Sequence, residues 1–71
     1  MMRNKRYYGQ AVSQVVDFLK EATGFMGDAS HAMLEDRPAD ATAYRHQAQN
    51  ALQAAITSAQ WAERLTAGDR E

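Results

Sequence analysis

Asp36-Arg37-Pro38-Ala39-Asp40 divides the chain into two helical halves. Proline lacks a backbone N–H and its ring clashes with the preceding turn, so it breaks a helix interior but suits a first turn. Asp36 stands just ahead of it as an N-cap candidate, and Asp40 falls in the opening turn, where its charge favours the helix dipole. One helix therefore ends near residue 34, a turn occupies about 35–38, and a second helix begins at about Pro38.

Upstream, apolar residues recur at alternating steps of three and four, the spacing of one helix face. This predicts a first helix over about residues 8–34, starting between Arg6 and Gln10. Two neighbouring seams run along it. One is Ala11, Val15, Phe18, Ala22, Phe25, Ala29 and Ala32; the other is Val12, Val16, Leu19, Thr23, Met26, Ser30 and Met33. Together they form an arc wider than the stripe of a two-stranded coil, as a helix with more than one neighbour requires. Gly24 and Gly27 fall inside this helix, each costing about 1 kcal/mol relative to alanine. They imply a close approach of another helix or a kink; the alternative is that the helix stops near Gly24 and the protein has three helices.

Downstream, the second helix is expected over about 38–66, stopping at Gly68. Its apolar face collects Ala41, Tyr44, Ala48, Ala51, Leu52, Ala55, Ile56, Ala59, Ala62 and Leu65. Gln49, Asn50, Gln53, Thr57, Gln60 and Arg64 fall opposite. Small side chains let helix axes approach closely, so Phe18, Leu19 and Phe25 are expected to supply bulk against an alanine groove. The short turn makes the helices antiparallel, so the fold class is all-α, an antiparallel helical hairpin.

A chain of 71 residues buries too small a fraction of its surface to be comfortable alone. It has no cysteine, which excludes disulfide staples, and its two histidines lack zinc-site spacing. Self-association is the remaining remedy, and two hairpins make a four-helix-bundle homodimer. Its core and dimer contacts are expected from Val12, Val15, Val16, Phe18, Leu19, Phe25, Met26, Leu52, Ile56 and Leu65. Residues 1–6 and 67–71 are expected as flexible ends of a single domain. No apolar run approaches the roughly 20 residues that cross a bilayer, and the basic start lacks the apolar stretch of a secretory signal. Membrane insertion is not expected, and the expected location is the cytoplasm.

Nothing in the sequence assembles a nucleophile with a base, paired carboxylates or convergent metal ligands, so the expectation is a non-enzyme without cofactor or metal. His31 and His46 fall near the loop end of opposite helices and read as solvated histidines. Trp61 lies beside Ala54, away from the centre of the alanine face, and is either an edge or dimer contact or an aromatic anchor for a partner. Tyr44 and Arg45 are types enriched at binding hot spots, although Tyr44 also fits the apolar seam. Arg3, Lys5 and Arg6 beside Tyr7 and Tyr8 offer charge with aromatics, a combination that grips phosphates and stacks on bases. Against extensive nucleic-acid contact stand the formal net charge of −1 and the acids Asp17, Glu21, Asp28, Glu35, Asp36 and Asp40.

The stretch from Val16 to Phe25, with Ala43-Tyr44-Arg45 and the run Ala51-Leu52-Gln53-Ala54-Ala55, resembles the small anti-activators of quorum sensing encoded by temperate pseudomonad phages. The pattern that carries the likeness is Asp17, Leu19, Ala22, Thr23 and Phe25, together with the Tyr-Arg pair, and the likeness spans roughly Val16 to Ala59. The resemblance implies a two-helix dimer, made in the host cytoplasm, that disables a host protein by binding it. The implied partners are LuxR-type transcriptional activators or type IV pilus assembly proteins such as the extension ATPase. The resemblance implies Tyr44 and Arg45 as partner contacts, and Trp61 joins them as an expected contact from its helical position alone. Two features depart from the family: Met26 stands where it has an aromatic residue, and the basic segment through Tyr8 has no counterpart. Two further readings stay open, a small dimeric nucleic-acid-binding hairpin using the basic start and a purely structural assembly protein.

Overall fold

The computed structural model describes residues 5–69, with side chains through Thr66. Two helices make up the fold: α1, Lys5–Leu34, and α2, Pro38–Asp69, packed side by side as an antiparallel hairpin. Both extend beyond the expected limits: Lys5 and Arg6 are helical, and α2 continues through Gly68 to Asp69. The remainder of the expected flexible ends, residues 1–4 with Arg3 among them and residues 70–71, lies outside the described residues.

α1 is one unbroken helix, which removes the three-helix alternative. Gly24 and Gly27 are exposed, and a Cβ built on either meets nothing within 4 Å. They therefore do not serve the approach of α2, contrary to the first expectation, because both lie on the far side of α1.

The connection is tighter than the sequence suggested. Asp36 is not the N-cap of α2; it holds φ 57°, the left-handed conformation that ends many helices. Its N–H reaches the Met33 carbonyl at 3.1 Å, and the Arg37 N–H reaches the Ala32 carbonyl at 2.9 Å. This paired closure satisfies two of the orphan carbonyls of α1. The cap position passes to Arg37, whose carbonyl accepts the Ala41 N–H at 3.0 Å. Pro38 then takes the first helical position, where no N–H is needed. Arg37 clasps the corner from outside, donating to Glu35 Oε1 at 2.6 Å and to Asp40 Oδ2 at 2.8 Å.

The interior of the hairpin is alanine. Ala11, Ala22, Ala29 and Ala32 of α1 face Ala41, Ala48, Ala51, Ala55 and Ala62 of α2, and among the described residues no large side chain is fully buried. At the middle, Ala22, Ala48 and Ala51 cluster with the half-buried Phe25 packed on them. Val15, Phe18, Tyr44, Trp61 and Leu65 are also half-buried. Ser58 interrupts the alanine row at 6% exposure, and its hydroxyl donates to Gln14 Oε1 at 3.1 Å. That bond fixes the register: levels on the two helices match where residue numbers sum to about 72.

Candidate protein-docking face

The second seam of α1 does not enter the hairpin. Val12, Val16, Leu19, Met26 and Met33 are 41–57% exposed, although each is apolar and follows the helical period. Leu19 is thus corrected from its expected place beside Phe18 and Phe25: an alanine seam lets the helices close on small residues, and Leu19, one position on from Phe18, turns outward at 43%. The broad apolar face expected of α2 divides in the same way. Leu52 at 42% and Ile56 at 50% stand outside, with Ala59 exposed between the ends, while the alanines turn in.

These outward rows belong to one surface. A cleft of about 500 Å³ near the open end is lined by Tyr8, Val12 and Val15 with Ala59, Ala62, Glu63 and Thr66. A smaller one near the loop is lined by Met26, Ala29, Ser30 and Met33 with Ala41, Thr42 and Arg45. Both lie in the groove between α1 and α2, on the side that carries Val12 and Met26. Between them, at the middle of the molecule, Val16 and Leu19 come level with Ile56 and Leu52. The result is a largely apolar strip, with Lys20 and Thr23 beside Val16 and Leu19 at its centre, along a rod 55 Å long and 13 × 10 Å across, measured on Cα atoms.

The opposite side is different in kind. Phe18, Glu21, Phe25, Gln47, Asn50 and Ala54 line a shallow depression there, mixing rings with amides and a carboxylate. Asp17, Glu21 and Asp28 follow the helical period of α1 on that side and leave the apolar strip without acidic residues from α1.

The three expected partner contacts do not form one patch. Tyr44 falls on the inner stripe with Ala41, Ala48 and Ala51 and is half-buried. Arg45, one residue on, is exposed and borders the loop-end cleft of the apolar strip. Trp61 lies 16 residues from Arg45, roughly 24 Å along the axis, and on the other side of α2 with Ala54. The sequence missed Ser58, the polar residue inside the seam; its spacing of seven from Ala51 and four from Ala62 was the available signal.

The histidines do not converge. His31 is exposed and lies 3.6 Å from Glu35 on its own helix, while His46 is exposed on α2. Among the described residues no group of three or more potential metal ligands occurs. Glu35 has its carboxyl held below the ordinary glutamate value, first by the Arg37 hydrogen bond and then by the His31 and Arg37 charges. No described helix is long and apolar enough to cross a membrane.

Surface area gives the strip its weight. The chain exposes 5419 Å², about 1,000 Å² more than the roughly 4,400 Å² expected of a compact 7.9 kDa monomer. Its radius of gyration of 16.2 Å compares with about 11 Å for a compact domain of this length.

No family model, no curated protein and no solved structure matches the chain.

Proposed function

We propose that the chain is a homodimeric protein-binding hairpin that acts on its target by contact alone. The observation that carries this reading is the exposed strip of Val12, Val16, Leu19, Met26, Met33, Leu52 and Ile56 beside a seam made of alanine. Monomeric proteins rarely leave so continuous an apolar surface wet, and polar-rimmed surfaces of this kind mark protein contacts. A standard interface removes about 800 Å² per partner. Once the strip is covered by a second copy, the sides bearing Phe18, Trp61 and the carboxylates remain for a different protein.

The target class rests on the resemblance of residues 16–59 to the phage anti-activators. On that basis the proposed targets are a quorum-sensing transcriptional activator of the LuxR type or a type IV pilus assembly protein, with inhibition as the outcome. Trp61 and Tyr44 are tested singly as target contacts, because the three expected contacts do not share a surface and Arg45 borders the strip assigned to the second copy. Sedimentation equilibrium at micromolar concentration tests the dimer. Co-purification of tagged chain with a LuxR-type activator and with a pilus extension ATPase tests the target. Retention of neither, with quorum-controlled reporters and twitching unchanged on expression, would rule the inhibitory reading out.

A further inference from the structure

The placement of two charges on the apolar strip gives the second copy a direction. Arg45 and Glu63 are 18 residues apart on α2, about five turns and roughly 27 Å, so they project at the same angle. Each is exposed and borders one of the two clefts of the strip, Arg45 at the loop end and Glu63 at the open end. Among the described residues neither has an ion-pair partner within its own chain. Their midpoint on α2 is residue 54, between Leu52 and Ile56. Through the register set by Gln14 and Ser58, that level falls on α1 between Val16 and Leu19. The two charges of α2 therefore flank the centre symmetrically, while Lys20 of α1 stands beside Val16 and Leu19 near that centre.

We propose that two copies meet through this strip in antiparallel fashion, about a two-fold axis lying across the helices at the level of residue 54, so that Arg45 of each copy pairs with Glu63 of the other. A two-fold interface is self-complementary, and a surface with a positive and a negative group equidistant from its centre matches itself only after end-to-end reversal. That axis lays α2 on α2 and α1 on α1. Leu52 then meets Ile56 of the second copy, and Val16 meets Leu19. The parallel alternative turns about the helix direction and lays α2 on α1 of the other copy at the same level. Arg45 would then sit over the level of residue 27, between Met26 and Ser30, where α1 presents no acid on this side. Burying an unpaired guanidinium against apolar groups is unfavourable, so the placement of Arg45 favours the antiparallel form.

This inference rests on the homodimer proposed above, and the experiment separates the two. The chain has no cysteine, so introduced thiols report without background. Arg45→Cys and Glu63→Cys chains, mixed, exchanged and oxidised, are expected to give a covalent dimer that neither forms alone. Arg45→Cys mixed with Met26→Cys is expected to give none. In parallel, Arg45→Glu is expected to weaken the dimer by about tenfold, with Arg45→Glu/Glu63→Arg restoring it, each variant checked for unchanged helicity by circular dichroism. A dimer that crosslinks through positions 45 and 26, or through neither pair, overturns the antiparallel arrangement and leaves the homodimer standing. A folded wild-type chain that sediments as a monomer at tens of micromolar overturns both.

Discussion

The Ser58 hydroxyl donates to Gln14 Oε1 at 3.1 Å, the one side-chain hydrogen bond that joins α1 to α2 among the described residues. Its contribution is small in energy and large in geometry. Gln14 is half-buried, so water reaches its amide when the hydroxyl is removed. Ser58→Ala is expected to lie within about 1 kcal/mol of wild type, since alanine continues the row of Ala51, Ala55 and Ala62. Ser58→Leu is expected to destabilise by about 1–3 kcal/mol, because a larger side chain forces apart helices set at alanine distance. Urea titrations at one protein concentration check both.

Open space beside Gly24 and Gly27 gives a prediction of opposite sign. Both are helical, exposed and free of any neighbour that a Cβ would touch. Gly24→Ala and Gly27→Ala are each expected to stabilise by about 1 kcal/mol, read as a rise in melting temperature, without change in oligomeric state. A loss of stability would show that a second chain packs against those positions.

At the corner, Asp36 carries a left-handed backbone that most side chains resist. Asp36→Gly is expected to stabilise by about 0.5–1 kcal/mol, and Asp36→Val to destabilise by about 1–2 kcal/mol. Thermal unfolding of the three chains, compared at equal concentration, distinguishes this account from one in which Asp36 acts through its charge. Under the charge account, Gly and Val would have the same effect.

Glu35 supplies the pH dependence. Its carboxyl is held below the ordinary value, first by the Arg37 hydrogen bond and then by the His31 charge. An acid whose folded value is depressed stabilises the fold fully above its unfolded value and loses that contribution as pH falls through the folded one. The difference in melting temperature between wild type and Glu35→Gln is therefore expected to be positive at pH 7. It should hold down to the ordinary glutamate range near about 4.3 and shrink below it. Added salt should reduce it throughout, because the group is exposed to solvent.

Two leucines separate the strip from the rest of the surface. Leu52 is 42% exposed at the centre of the proposed interface, whereas Leu34 is 83% exposed at the end of α1. Leu52→Glu is expected to raise the dimer dissociation constant by about a hundredfold or more, since it sets a carboxylate in an apolar contact. Leu34→Glu is expected to leave it unchanged. Sedimentation over a dilution series reads both.

Much of the hairpin is legible in the sequence, because its signals are local. Pro38 and Asp40 mark a helix start whatever surrounds them, and the two seams of α1 are spaced as the structure shows them. Harder to read was which seam meets which helix. Leu19 and Phe18 are adjacent apolar residues of similar bulk, and only the width of the alanine groove sends Phe18 inward and Leu19 outward. The same ambiguity merged Leu52 and Ile56 with the alanines of α2. Asp36 is ambiguous in the sequence, because an aspartate ahead of a proline suits an N-cap and a helix end alike, and backbone closure over the corner decides between them. Tyr44, Arg45 and Trp61 share only residue types common in binding sites, and the helical turn separates them onto three sides.

Pro38 also limits how two chains can combine. Hairpins with short connections dimerise by a second route, straightening into one long rod and exchanging halves. Here the rod would carry a proline at its middle, with the ring against the Leu34 carbonyl and one N–H missing, at a cost of about 3 kcal/mol per chain. Each chain is therefore expected to keep its own two arms folded together, so that a dimer of the kind proposed would form from two finished hairpins and its population would follow how much of the protein a cell contains.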